Sequence, residues 1–141
     1  DALPILKADE SKYATIDITV INPVTSQALI IKCGAPPTYI RRRVALGEYA
    51  VIEIDADLGS YTPLSEAFVK TVRLKQSDMI IMASDGADLS GENKIIKYLK
   101  KINSDEPREL SDILLKAAKH ENQSDDRTII AILYEKALQE V

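Results

Sequence analysis

Over residues 13–21 the chain alternates, with Ala14, Ile16, Ile18 and Val20 on one face and Thr15, Asp17 and Thr19 on the other. A period of two is that of a β-strand, whose successive side chains point to opposite sides. Asn22-Pro23 interrupts the pattern, residues 22–26 have the composition of a turn, and residues 27–33 resume as a strand. This predicts a hairpin with a loop of about five residues. Gly34-Ala35-Pro36-Pro37 ends the second strand, because proline removes donors from the ladder. Residues 38–43 and 49–54, with Gly47 between them, are two further strands, and these closely spaced short strands read as an antiparallel meander. Residues 55–66, with Gly59 and Pro63, read as a loop. Residues 68–74 predict a strand, 75–78 a turn, and the continuously apolar residues 79–83 a strand buried on both sides. Residues 68–74 and 79–84 are expected to form a second hairpin.

The period then changes to that of a helix. In residues 92–102, Ile95, Ile96, Leu99 and Ile102 form an apolar stripe, and Lys94, Lys97, Lys100 and Lys101 lie mostly away from it. Ser104 and Asp105 can cap a second helix that has Pro107 in its first turn. Its buried face is Leu110, Ile113, Leu114, Ala117 and Ala118, and His120 closes it, where a cation suits the helix dipole. Residues 125–133 return to a strand, nearly all apolar from Ile129 onward. No repeat or linker divides the chain, so residues 1–141 read as one domain. Many strands, then two helices with one oily face each, then one strand predict an α+β fold: a β-sandwich flanked by helices.

Charge narrows the function classes. Eighteen basic against twenty-two acidic side chains leave a net charge of −4, which argues against a nucleic-acid surface. The single cysteine, Cys33, excludes an internal disulfide and suits a reducing, cytoplasmic setting. It sits in an alternating strand and reads as a small buried hydrophobe. No apolar run approaches the ~20 residues that cross a bilayer, so no membrane contact by this segment is expected. The chain opens on Asp1, and residues 1–12 look like the tail of something earlier. A domain incomplete at its amino end is therefore expected.

Two acidic positions stand out by their place. Asp85, followed by Gly86, comes directly after the buried strand of residues 79–84, and Asp125 and Asp126 come directly before the last strand. Carboxylates at the ends of neighbouring core strands are rigidly held and can converge on a hard divalent cation, which prefers oxygen ligands. A glycine after Asp85 lets the backbone turn close to such an ion. Asp-Gly after a strand is also a common turn, and Asp-Asp before one can simply end a loop, so spacing leaves both readings open. Arg41-Arg42-Arg43 could attract a phosphorylated partner, although short charge runs are mostly solvated. Nucleotide-binding glycine loops and calcium-loop spacing are absent.

At these residues the sequence resembles a known family. Met79-Ile-Ile-Met-Ala-Ser-Asp-Gly86 is similar to the apolar strand ending in Ser/Thr-Asp-Gly of PPM-type (type 2C) protein phosphatases. Asp125-Asp126-Arg-Thr-Ile-Ile-Ala-Ile132 resembles their final Asp-Asp/Asn-x-Thr strand. Gly34-Ala-Pro-Pro37 with Tyr39-Ile40 is similar to the Gly-x-x-Pro turn of the bacterial branch, typified by stage II sporulation protein E and stress-response regulators of sigma factors. The ordered set of motifs, spanning nearly the whole chain, carries the resemblance.

The resemblance implies a β-sandwich flanked by helices, and hydrolysis of phosphoserine or phosphothreonine by a water activated between two Mn²⁺ or Mg²⁺ ions. It further implies Asp85 and Asp125 as metal ligands, Asp126 in support where the family often has asparagine, and Gly86 shaping the turn. A phosphorylated regulatory protein, such as an anti-sigma-factor antagonist, is the implied substrate. The family's remaining ligands come from strands ahead of residue 13, and residues 1–12 do not supply them. The isolated chain is therefore expected to be inactive and to bind metal weakly, and an apolar face left uncovered predicts a homo-oligomer. The rival expectation is a non-catalytic pseudo-phosphatase or docking module that binds a phosphoprotein or a dimer partner.

Overall fold

The computed structural model describes residues 15–55, 67–87, 94–121 and 126–136, the side chains of 119–121 excepted. Seven strands come in the order β1 (Ile16–Asn22), β2 (Gln27–Cys33), β3 (Thr38–Ala45), β4 (Glu48–Ile54), β5 (Phe68–Arg73), β6 (Met79–Ala83) and β7 (Ile129–Leu133). Between β6 and β7 lie a 3₁₀ turn (Asp85–Ala87) and helices α1 (Lys94–Lys101) and α2 (Pro107–Glu121). The strands form two antiparallel sheets, β1-β2-β5 and β4-β3-β6-β7. Helices and sheets stack as the α+β reading predicts.

Residue alternation on β3 and β6 builds two cores. Ile40, Ile54, Ile80 and Tyr134 meet Ala28, Ile30 and Leu74 between the sheets. Tyr39, Met79, Ile81 and Ala83 point the other way, onto Ile95 and Leu99 of α1 and Leu110, Leu114 and Ala118 of α2. Both faces of β6 are thus covered, which is why its sequence is continuously apolar. The single oily face on each helix is used as its periodicity predicts.

The expected first hairpin forms, pairing Asn22 with Gln27, and the Asn22 carboxamide oxygen accepts from the amides of Val24 and Thr25 to set the turn. Two pairings differ from expectation. The meander breaks after β2: Gly34, at φ 66°, and Ala35-Pro36-Pro37 carry the chain into the other sheet, where β3 pairs with β4 and β6. Residues 68–74 and 79–84 do not form a hairpin either. β5 pairs with β2, and β6 pairs with β3 and β7. The turn between them is real, with the Asp78 amide donating to the Lys75 carbonyl, but it too is a crossing between sheets.

The arginine run also differs from its expected solvated role. Arg41 is 1% exposed and reaches across to the carboxyl end of α1. Its Nε donates to the Leu99 carbonyl at 2.7 Å, Nη1 to Ser104 O at 2.6 Å, and Nη2 to Ile102 O. The guanidinium also stacks on Tyr49, 3.4 Å from the ring centre. Burial pushes its pKa down, and the Tyr49 hydroxyl acts in the opposite direction. Arg42 grips the fully buried Asp78 carboxylate with two bonds, at 3.0 and 2.8 Å, which raises the guanidinium pKa. Arg43 pairs with Asp105. Asp105 is thereby turned to Arg43 and Tyr49, while the Ser104 hydroxyl accepts from the Glu106 amide just ahead of α2 and donates to Glu109 in its first turn. Cys33 is buried as expected.

β1 presents its faces in an unexpected sense. Its polar side, Asp17 and Thr19, faces the other sheet, where Thr19 meets the Met82 sulfur. Its apolar side lies outward, with Ile18 45% and Val20 51% exposed, and Ile31 of β2 separates Ile18 from the exposed Val69 of β5. The inward Asp17 answers a buried lysine, described below.

Replacing Arg41 by methionine removes three bonds to carbonyls in the last turn of α1 and the segment after it, and is expected to lower stability by about 3 kcal/mol in urea unfolding. A loss below about 1 kcal/mol would mean that α1 is held by its apolar face alone. Arg42→Met leaves the Asp78 carboxylate buried without its cation, and an expected loss of about 2–3 kcal/mol reflects the partly exposed Arg42 end. An unchanged denaturation midpoint would show that the pair contributes nothing net.

Candidate metal site

Asp85 leaves the core at the end of β6. The strand is buried on both faces up to Ala83, and the chain then turns through the 3₁₀ segment, closed by the Ala87 amide donating to the Ser84 carbonyl at 2.9 Å. Asp85 is exposed at the start of that turn and Gly86 occupies its middle. The neighbouring strand is locked beside it. The Ser84 amide donates to Thr128 O at 3.0 Å, and the Thr128 amide donates to Ser84 Oγ at 2.9 Å. These bonds extend the Ala83–Ile129 pairing by one step and set the segment that carries Asp126 next to the end of β6. Asp126 is exposed. Asp125 lies outside the described residues.

A cavity of about 290 Å³ opens between the sheets at this end. Asp85, Ser84 and Thr128 line it from the four-stranded sheet, Asp17 from β1, and Ala35 and Pro36 from the crossover. The Gly-x-x-Pro segment thus supplies a wall of the same cavity. Carboxylate oxygens at the mouth of a part-apolar cleft suit a hard divalent cation. Among the described residues no group of three or more His, Cys, Asp or Glu stands close enough to hold one. Asp85 and Asp17 are the acidic residues that line this cavity among the described residues.

Sequence patterning overlooked a charged cluster beneath this cavity. Lys32 on β2 is fully buried; its ammonium donates to Thr38 Oγ1 at 2.7 Å and lies 2.9 Å from Asp17 Oδ1. Its signal was present, since Lys32 shares the strand face of Ala28 and Ile30, where a lysine has no business without a partner. Both sheets contribute, because Thr38 belongs to β3.

The chain is 24% identical over 139 residues to stage II sporulation protein E of Bacillus subtilis (strain 168), covering 90% of this chain and 16% of that protein. The phosphatase domain of the cell-fate determinant SpoIIE from Bacillus subtilis, in a crystal form without domain swapping, superposes with a TM-score of 0.76 at 19% identity, over 99% of this chain and 64% of that one. A manganese-presoaked structure of that phosphatase domain gives a TM-score of 0.71 at 19% identity, covering 92% and 60%. The chain thus spans less than two-thirds of the solved domains it matches. The family model described as stage II sporulation protein E (SpoIIE) matches residues 3–135. This chain belongs to the stage II sporulation protein E family.

Proposed function

We propose that this chain is the carboxyl part of a metal-dependent serine/threonine protein phosphatase domain. The observation that carries the reading is the placement of Asp85: exposed on a rigid strand end, at the mouth of an inter-sheet cavity, beside the strand that brings in Asp126. Asp85 and Asp125 are assigned as ligands to Mn²⁺ or Mg²⁺, Gly86 to the turn that brings the backbone near the ion, and Asp126 to support. Two ions in the complete domain would lower the pKa of a bound water and neutralise charge on phosphoryl oxygens. The chain's own contribution is to hold Asp85 stiffly. The Ser84–Thr128 bonds and the buried β6 allow it little freedom, so little ordering cost remains when an ion binds.

A cavity open to solvent suits a phosphoserine or phosphothreonine on a protein surface, and family analogy suggests a regulatory protein such as an anti-sigma-factor antagonist. Among the described residues no helix is long and apolar enough to cross a membrane. A cytoplasmic location is consistent with the buried Cys33 thiol. The second reading is a docking module without chemistry; the small number of ligands gathered by the described residues favours it for this stretch taken alone.

In the full-length protein, Asp85→Asn is expected to lower turnover of a phosphoserine protein more than about 100-fold, with binding of that protein largely retained. Turnover at the wild-type rate would remove Asp85 from the metal site and leave the docking reading. The isolated 141-residue chain is expected to show no turnover with MnCl₂. The exposed Ile18, Val20 and Val69 face is also expected to draw copies of this chain together. Light scattering should then show a dimer or larger species that Val20→Lys shifts toward monomer; a monomer at high concentration for the unaltered chain contradicts it.

A further inference from the structure

The Asp17–Lys32–Thr38 cluster goes beyond what the family motifs assign. Lys32 is the second-last residue of β2 and Thr38 the first of β3, so their 2.7 Å bond ties together the two ends of the crossover. Between them run Ala35 and Pro36, which wall the cavity. Asp17 completes the tie from β1: its Oδ1 is 2.9 Å from the ammonium and accepts weakly from Thr38 Oγ1 at 3.4 Å. Among the described residues both contacts of Asp17 fall on Oδ1. Asp17 is 17% exposed and lines the same cavity as Asp85, so Oδ2 is the oxygen available to the cavity.

Asp17 and Lys32 face each other across β1 and β2, and an apolar pair of similar volume there would fill the same space without the cost of stripping water from two charges. A carboxylate held by a buried ammonium and left with one oxygen on the cavity differs from such a pair in one respect: it supplies an oriented hydrogen-bond acceptor. Mg²⁺ and Mn²⁺ at sites with few protein ligands keep much of their water, and that water must donate to something. Acceptors behind the direct ligands hold it in place.

We propose that Asp17 is a positioning residue of the metal site, its Oδ2 accepting from the hydration water of a divalent cation held at Asp85. Lys32 keeps that carboxylate aimed, and with Thr38 it fixes the crossover wall. This rests on the assignment of Asp85 as a ligand. Asp17 touches neither the ion nor the phosphate, and the pairing with Lys32 makes it a poor direct ligand, because the ammonium already neutralises its charge.

The test is Mn²⁺ binding by the full-length protein, read from the electron paramagnetic resonance signal of free Mn²⁺ and independent of activity. Asp17→Asn is expected to weaken Mn²⁺ binding about 10–100-fold. Because that variant leaves Lys32 unpaired and can misfold, the double change Asp17→Asn with Lys32→Gln keeps a neutral bonded pair. It is expected to melt near the wild-type temperature and still bind Mn²⁺ 10–100-fold more weakly. Wild-type affinity in the double variant overturns the proposal, since the cluster is then only a tie that holds β1, β2 and Thr38 of β3 together. Asp85→Asn separates the two claims. If it abolishes tight binding while the Asp17 variants do not, the positioning role alone is wrong; if it binds Mn²⁺ like wild type, the metal assignment falls and the positioning role with it.

Discussion

A buried guanidinium holds the outer layer of this molecule to its sheet. Helix α1 is eight residues long, too short to persist in water by its own hydrogen bonds. Its apolar stripe supplies adhesion, and Arg41 supplies direction, because three donors in a fixed plane meet carbonyls at Leu99, Ile102 and Ser104. The turn that follows, pinned by Ser104 and by Asp105 on Arg43, starts α2 where its oily face meets β7 and the 3₁₀ turn. Helix α2 thus covers β7, whose own place, with that of the segment carrying Asp126, is set by its pairing with β6.

The space between the sheets is apolar in its middle and charged at its ends. Ile30, Ile40 and Ile80 fill the middle. At one end Arg42 binds Asp78 and also donates to the Arg73 carbonyl of β5, joining the two sheets. The hydroxyl of Tyr134 meets Ser26 Oγ there at 2.6 Å. At the other end Lys32, Thr38 and Asp17 join them again, beneath the cavity that holds Asp85. Apolar packing tolerates sliding between sheets, whereas paired charges define one alignment, and the alignment decides how far the walls of the cavity stand apart.

Much of the candidate site was legible in the chain. Asp85 sits at a strand end because Met79–Ala83 is apolar throughout and Asp-Gly breaks the strand, two facts of local sequence. The Gly34–Pro37 break was legible as an ending, though not as the wall of a cavity. Asp17 and Lys32 were the least legible. Asp17 sat on the polar face of an alternating strand, which looks like a solvated face, and only the lysine intruding on an apolar run hinted otherwise. The arginine run failed in the opposite direction. Three adjacent charges look like a surface patch, but alternation along β3 sends Arg41 to the helix layer and Arg42 toward Asp78.

The amino-acid sequence by itself determined the kind and order of the elements, the strand that is buried on both faces, the oily side of each helix and the strand-end position of Asp85. These depend on periodicity and on the backbone preferences of glycine and proline within a few residues. Only the tertiary structure decided which strands pair, that the Lys75–Asp78 turn crosses between sheets instead of closing a hairpin, and that β1 turns Ile18 and Val20 outward. A turn of given composition is compatible with either pairing, and an alternating strand with either face inward. The choice is made by distant partners, Arg42 for Asp78 and Lys32 for Asp17, whose burial makes the alternatives costly.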